Sequence, residues 1–137
     1  VHMVKARRGS IINISSMRGL DCPHFPFYPE AMQEQSVNYT TEKWALVGLT
    51  KFMAGRYGKY GIRVNAVLPG MIRTDRWEKN PDFYATVPSR FTPIGDVADG
   101  ADIADAVWYF AEHARNTTGA ELVVDGGNTV QLYPIIK

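Results

Sequence analysis

Gly61-Ile62-Arg63-Val64-Asn65-Ala66-Val67-Leu68-Pro69-Gly70 decides the fold. Its short β-branched and apolar run is bounded by glycine on one side and Pro-Gly on the other. It reads as a strand over 62–68, with Pro69-Gly70 as its stop. Two further runs have this character. Gly9-Ser10-Ile11-Ile12-Asn13-Ile14-Ser15-Ser16 contains an isoleucine-rich strand over 10–15, of the kind buried on both faces. Glu121-Leu122-Val123-Val124-Asp125 is the third, closed by Gly126-Gly127. Between the first and second lies a helical segment, residues 40–57. Its Trp44, Ala45, Leu46, Val47, Leu49, Phe52 and Met53 cover most of the circumference. A helix apolar nearly all round is buried on more than one side. One side suits the sheet and the other a partner subunit. Between the second and third strands, residues 99–115 form another helix, with Ile103, Val107 and Phe110 on its stripe.

Strand, helix, strand, helix, strand is the order of a parallel α/β sheet. Residues 1–8 read as the basic last turns of a preceding helix, ended by Gly9. The chain is therefore expected to begin partway through a domain. Residues 17–38 are irregular, broken by Gly19, Pro23, Pro26 and Pro29, and residues 71–93 form an aromatic-rich excursion.

Bulk properties exclude several classes. The 137 residues are 45% hydrophobic and 21% charged, which suits one soluble globular unit rather than a disordered chain. The net charge of +1 gives no footprint for nucleic acid or an anionic membrane. No apolar run approaches the roughly 20 residues of a membrane-spanning helix. Cys22 is the sole cysteine, which excludes an internal disulfide and fits a reducing, cytoplasmic compartment. No His/Cys/Asp/Glu spacing suggests a metal site. His2, His24 and His113 read as surface or packing residues.

Chemistry concentrates in Asn38-Tyr39-Thr40-Thr41-Glu42-Lys43-Trp44. Four residues is about one helical turn, so the Tyr39 phenol and the Lys43 ammonium project from one face. A cation beside a phenol favours the phenolate. Such a tyrosine can exchange a proton with an alcohol or carbonyl near neutral pH. Ser16, at the end of the first strand, offers a hydroxyl to the same substrate oxygen. Taken singly, Ser16 caps a strand-to-loop transition and Lys43 is a solvated helix lysine. The combination turns both toward catalysis.

These blocks, with Thr118-Gly119-Ala120-Glu121-Leu122-Val123-Val124-Asp125-Gly126-Gly127 and in this order, resemble the short-chain dehydrogenase/reductase family over nearly the whole chain. The resemblance implies the C-terminal portion of a Rossmann-type doubly wound parallel sheet. It implies an oxidoreductase that interconverts a secondary alcohol and a ketone with NAD or NADP. Tyr39 is then the acid/base. Lys43 assists it and hydrogen-bonds the nicotinamide ribose, and Ser16 binds the substrate oxygen. Pro69 and Gly70 open the loop beside the nicotinamide, and Ile72 and Thr74 match positions that contact its carboxamide and nearby phosphate. Partners implied are a small alcohol or ketone and further copies of the chain, as a homodimer or homotetramer.

Two departures stand out. The family's first half, with its glycine-rich turn, its residue for choosing between NAD and NADP, and its helix asparagine, has no counterpart in residues 1–137. Asn13, on a strand, does not replace that asparagine. The chain reads as a single partial domain, expected to be inactive by itself. The second departure is the Ser16-to-Tyr39 interval, long for the family, which holds His24-Phe25-Pro26-Phe27-Tyr28-Pro29. It loosely resembles inserts in members acting on sugar derivatives. The competing expectation is a non-catalytic interaction or dimerisation module derived from the family that binds no dinucleotide.

Overall fold

A computed structural model describes residues 1–23, 25, 37–75, 79 and 81–131. Three strands, β1 (Gly9–Ile14), β2 (Ile62–Pro69) and β3 (Glu121–Val124), form one parallel sheet in the order β1-β2-β3. Register runs from Gly9 opposite Ile62 to Ile14 opposite Val67, and from Ala66 opposite Glu121 to Pro69 opposite Val124. The helices are α1 (His2–Ala6), α2 (Val37–Tyr57), α3 (Pro81–Phe91) and α4 (Gly100–Trp108). The α/β parallel architecture is the one its alternating pattern predicts.

The alternation of β2 explains the two layers. Ile62, Val64, Ala66 and Leu68 pack with Val47 and Ala54 of α2. Val67, on the opposite face, packs with Ala106 of α4 and with Phe110 and Ala114 beyond it. Side chains alternate across a strand, so a central strand must be apolar on both faces when a helix covers each. The sheet is wound with helices on both faces. The odd polar position is accommodated by pairing: buried Asn65 donates to Thr117 O at 3.0 Å and accepts from Ala120 N at 3.1 Å.

Several expectations need correction. β1 packs on both faces, Ile11 against the layer of Ala54, Ile62 and Val64 and Ile12 against that of Val67 and Phe110, but its residues are half-buried rather than buried, and Ile14 is exposed. Gly9 does not end the first helix. Arg7 does, in the left-handed conformation with φ 51°, and Gly9 opens β1. α2 begins at Val37, not residue 40, and Thr41 Oγ1 bonds back to Val37 O at 2.9 Å. The excursion over 71–93 contains α3, which starts on Pro81 with Asp82 in its first turn and carries Pro88 inside.

The helix expected over 99–115 keeps α-helical form only over Gly100–Trp108. Asp99 caps it, accepting from Ala101 N while Asp102 accepts from Asp99 N, a capping box. Beyond Trp108 the chain widens into a π-turn, Tyr109–His113. Its carbonyls find side-chain donors on the sheet: Arg63 donates to Phe110 O and Ala111 O, and Ser10 Oγ to Phe110 O at 3.0 Å. His24, Trp77 and most of the inserted segment lie outside the described residues, as do the side chains of Phe83 and Tyr84.

Candidate active site

Parallel strands deliver their carboxyl ends to one edge of the sheet, where ligands of doubly wound folds bind. Here those ends lead into Ser15-Ser16, Pro69-Gly70 and Asp125-Gly126-Gly127. Ser15 N donates to Val67 O at 2.9 Å, so the ladder continues one residue past β1 before the chain turns. Ser16 then adopts an extended conformation and caps a 3₁₀ turn, Met17–Gly19. Its hydroxyl oxygen accepts from Arg18 N at 3.1 Å. A serine hydroxyl that accepts one bond still has a hydrogen to donate. Ser16 is 6% exposed. The turn is held by Arg18, whose guanidinium pairs with Asp21 at 2.7 Å.

Tyr39 lies in the first turn of α2 and is 46% exposed. Lys43 follows one turn later, with Nζ 5.5 Å from the Tyr39 ring centroid. The ammonium also donates to Ile14 O at 3.3 Å, and Ser15 Oγ donates to Lys43 O at 2.8 Å. Lys43 is thus fastened to the end of β1 by its tip and by its backbone. The helix pair and the serine-bearing strand end meet at this residue. Asn13 serves the same docking from within β1: its Nδ2 donates to Thr50 Oγ1 at 2.8 Å.

The next strand end is shaped by close approach. Gly70 N donates to Val124 O at 2.9 Å, and a Cβ on Gly70 would stand 2.6 Å from Asp125 Cβ and 2.7 Å from its Cα. Only glycine lets the end of β2 pass the end of β3 at that spacing. The chain then runs along the segment before α4. Ile72 bridges Ala98, Arg73 N donates to Ala98 O at 2.9 Å, and the Arg73 guanidinium meets Asp96 at 2.9 Å. Thr74 is exposed beyond this clasp. Among the described residues no hydrogen bond joins it to Ser16, Tyr39 or Lys43. The Asp125 carboxylate accepts from Gly127 N at 2.8 Å and Thr129 N at 2.7 Å, closing the turn after β3.

Sequence reasoning named Ser16, Tyr39, Lys43, Pro69, Gly70, Ile72 and Thr74. It missed Ser15, Gly19, Arg18 and Asp125. Ser15 carried a faint signal as the first of a serine pair, and Asp125 carried one as the residue before Gly-Gly. Among the described residues no three His, Cys, Asp or Glu side chains gather as a metal-binding group, and no helix is long and apolar enough to cross a membrane.

Comparison with known proteins follows the same lines. The family described as Enoyl-(Acyl carrier protein) reductase matches residues 1–129. The (3R)-3-hydroxyacyl-CoA dehydrogenase of Mus musculus is 37% identical over 121 residues, 88% of this chain and 43% of that protein. An oxidoreductase of the short chain dehydrogenase/reductase family from Burkholderia thailandensis superposes with a TM-score of 0.77 at 30% identity, covering 93% of this chain and 48% of that one. A gluconate 5-dehydrogenase from Burkholderia cenocepacia, solved with NADP and tartrate, gives 0.79 at 27% identity, covering 94% and 48%. The fold and the strand-end site define a doubly wound α/β protein, and the chain belongs to the short-chain dehydrogenase/reductase family. It spans about half the length, or slightly less, of the relatives it matches.

Proposed function

We propose that this chain supplies the proton-transfer part of an NAD(P)-dependent oxidoreductase that interconverts a secondary alcohol and a ketone. The observation that carries the reading is the double attachment of Lys43 to the end of β1, with its ammonium 5.5 Å from the Tyr39 ring. The dehydrogenases among its relatives, and the NADP held by one structural neighbour, support it. When bound, the nicotinamide supplies the hydride acceptor or donor. Tyr39 takes the proton from the alcohol oxygen, or returns it to the carbonyl oxygen. Lys43, beside the Tyr39 ring, would donate to the ribose of the bound nucleotide. Ser16, its oxygen already engaged by Arg18 N, directs its hydrogen at the substrate oxygen. Pro69, Gly70, Ile72 and Thr74 would line the nicotinamide end of the bound dinucleotide.

The residues fit one end of the dinucleotide. Lys43 offers a donor at the strand ends, and the loop after β2 is clasped in place there. The pyrophosphate end has no fit: among the described residues no glycine-rich turn leads from a strand into an α-helix, the arrangement that cradles phosphates. Residues 1–137 are accordingly read as a partial domain. Trp44, Leu49 and Phe52 are exposed on the outer side of α2 and suit a second copy of the chain, in a homodimer or homotetramer. The exposed thiol of Cys22 suits the cytoplasm. The decisive test is Tyr39→Phe in the catalytically competent protein. It keeps the ring and removes the proton, so kcat falls about 10²-fold or more while dinucleotide affinity holds. Turnover near wild type ends the assignment.

A further inference from the structure

The catalytic reading of the Ser15-Ser16 pair uses only its second member and gives Gly19 no role. Both unused residues converge on Lys43. Ser15 is 3% exposed, and its hydroxyl donates to the Lys43 carbonyl at 2.8 Å. Gly19, also buried, faces the same oxygen. A Cβ there would stand 2.9 Å from Lys43 O, 3.2 Å from Lys43 C and 2.8 Å from Ser15 Oγ. A side-chain hydroxyl can rotate away from such a contact, but a helix carbonyl moves only with its helix. Lys43 also reaches back with Nζ to Ile14 O, the residue before Ser15.

We infer that Ser15 and Gly19 are positioning residues that form a seat for Lys43. The absent side chain of Gly19 and the hydroxyl of Ser15 together fix how closely the start of α2 approaches the end of β1. The seat sets where the Lys43 ammonium, and the Tyr39 phenol one turn before it, stand relative to Ser16. Neither residue touches substrate; each acts through Lys43. A methyl group at residue 19 pushes the Lys43 carbonyl away by a few tenths of an ångström, and proton transfer and ribose binding depend on placement at that scale. The inference rests on Tyr39 and Lys43 being the proton-transfer pair.

The test compares Gly19→Ala and Ser15→Ala with Gly100→Ala, which adds a methyl into open space at the first residue of α4. Hydrogen–deuterium exchange of peptides covering residues 41–47 reads the seat without any activity. In the catalytically competent protein, kcat and the NADH dissociation constant read its consequence. Gly19→Ala is expected to keep its far-UV circular dichroism, speed exchange over 41–47, lower kcat about tenfold and weaken NADH binding severalfold. Ser15→Ala moves the same quantities less, and Gly100→Ala moves none.

A structural role alone would lower stability without depending on Lys43, so the test repeats Gly19→Ala in a Lys43→Met background. There it is expected to weaken NADH binding no further. Unchanged exchange over 41–47 in both Gly19→Ala and Ser15→Ala overturns the seat, as does a full additional loss in the Lys43→Met background. If Gly19→Ala fails to fold, Ser15→Ala decides by the same readouts. If Lys43→Met by itself leaves kcat and NADH binding at wild type, the proton-transfer reading fails, while the exchange data still decide whether the seat exists.

Discussion

Replacing Lys43 by methionine keeps the length of the side chain and removes its charge. The ammonium stands 5.5 Å from the Tyr39 ring centroid, and a phenolate spreads its charge over ring and oxygen, so this distance sets the scale. Coulomb attraction there is about 0.8 kcal/mol at the dielectric of water and about 3 kcal/mol at an effective constant of 20. Tyr39 is open to solvent on one side, which places the free protein toward the lower figure. A bound dinucleotide and substrate displace that water and move it toward the upper one.

The sign follows from the charge. Under the proposed mechanism, negative charge that develops on the Tyr39 oxygen during proton transfer is less stabilised without the cation, so turnover falls. Turnover is expected to fall by about 4- to 100-fold, since 1.4 kcal/mol is a factor of ten. The NADH dissociation constant should increase in the same variant, because the ribose loses a donor. The assay is steady-state oxidation of the alcohol at fixed pH with the nucleotide saturating, beside a fluorescence titration of NADH. Turnover that holds at wild type while NADH binding weakens would refute the electrostatic role and leave Lys43 as a ribose ligand only.

Phe110→Ala empties the centre of the layer between the sheet and α4, where Phe110 is 2% exposed against Val67, Ala106 and Ala114. A loss of about 3–5 kcal/mol in urea unfolding is expected, and a loss under about 1 kcal/mol would mean this layer is not the core. Phe52→Glu puts a charge on the outer face of α2, where Phe52 is 68% exposed, and sedimentation velocity should show smaller particles than wild type. Wild type already monomeric at micromolar concentration would exclude that face as a self-association surface. The 137-residue chain by itself should bind NADH very weakly, since its described residues hold no phosphate cradle. Saturable micromolar binding in a fluorescence titration would show that the cradle lies within these residues.

Much of the frame was legible in the sequence because its signals are local. The run from Ile62 to Leu68 between Gly61 and Pro69 defines β2 to within a residue. Asp99 and Asp102 announce the start of α4 through their own backbone bonds. What escaped depends on partners far along the chain or on conflicting signals. Pro88 argues against a helix at the place where α3 holds one. The π-turn after Trp108 owes its carbonyl partners to Ser10 and Arg63, on two different strands. In the site, Ser16, Tyr39 and Lys43 were readable as residue types at telling positions. The tie from Ser15 was not, because its acceptor is a backbone carbonyl, which every residue possesses, 28 positions away. Side-chain identity cannot mark such a contact.

The cap that Ser16 makes and the catalytic role proposed for it are compatible, because they call on different parts of one hydroxyl. The lone pair that accepts from Arg18 N secures the first turn after β1. The hydrogen is what a substrate oxygen needs. A serine free of the cap would rotate among its staggered positions and lose rotamer freedom whenever substrate bound. The cap removes that freedom during folding, and the Arg18–Asp21 pair keeps the turn that imposes it. Lys43 follows the same logic on the helix side, since its bond to Ile14 O and the bond of its carbonyl to Ser15 are made before any ligand arrives. Contacts that look purely structural therefore leave the serine and lysine oriented in advance. With Ser16 and Lys43 in the proposed roles, changes at Ser15, Gly19 or Arg18 are expected to lower activity without touching a reacting atom.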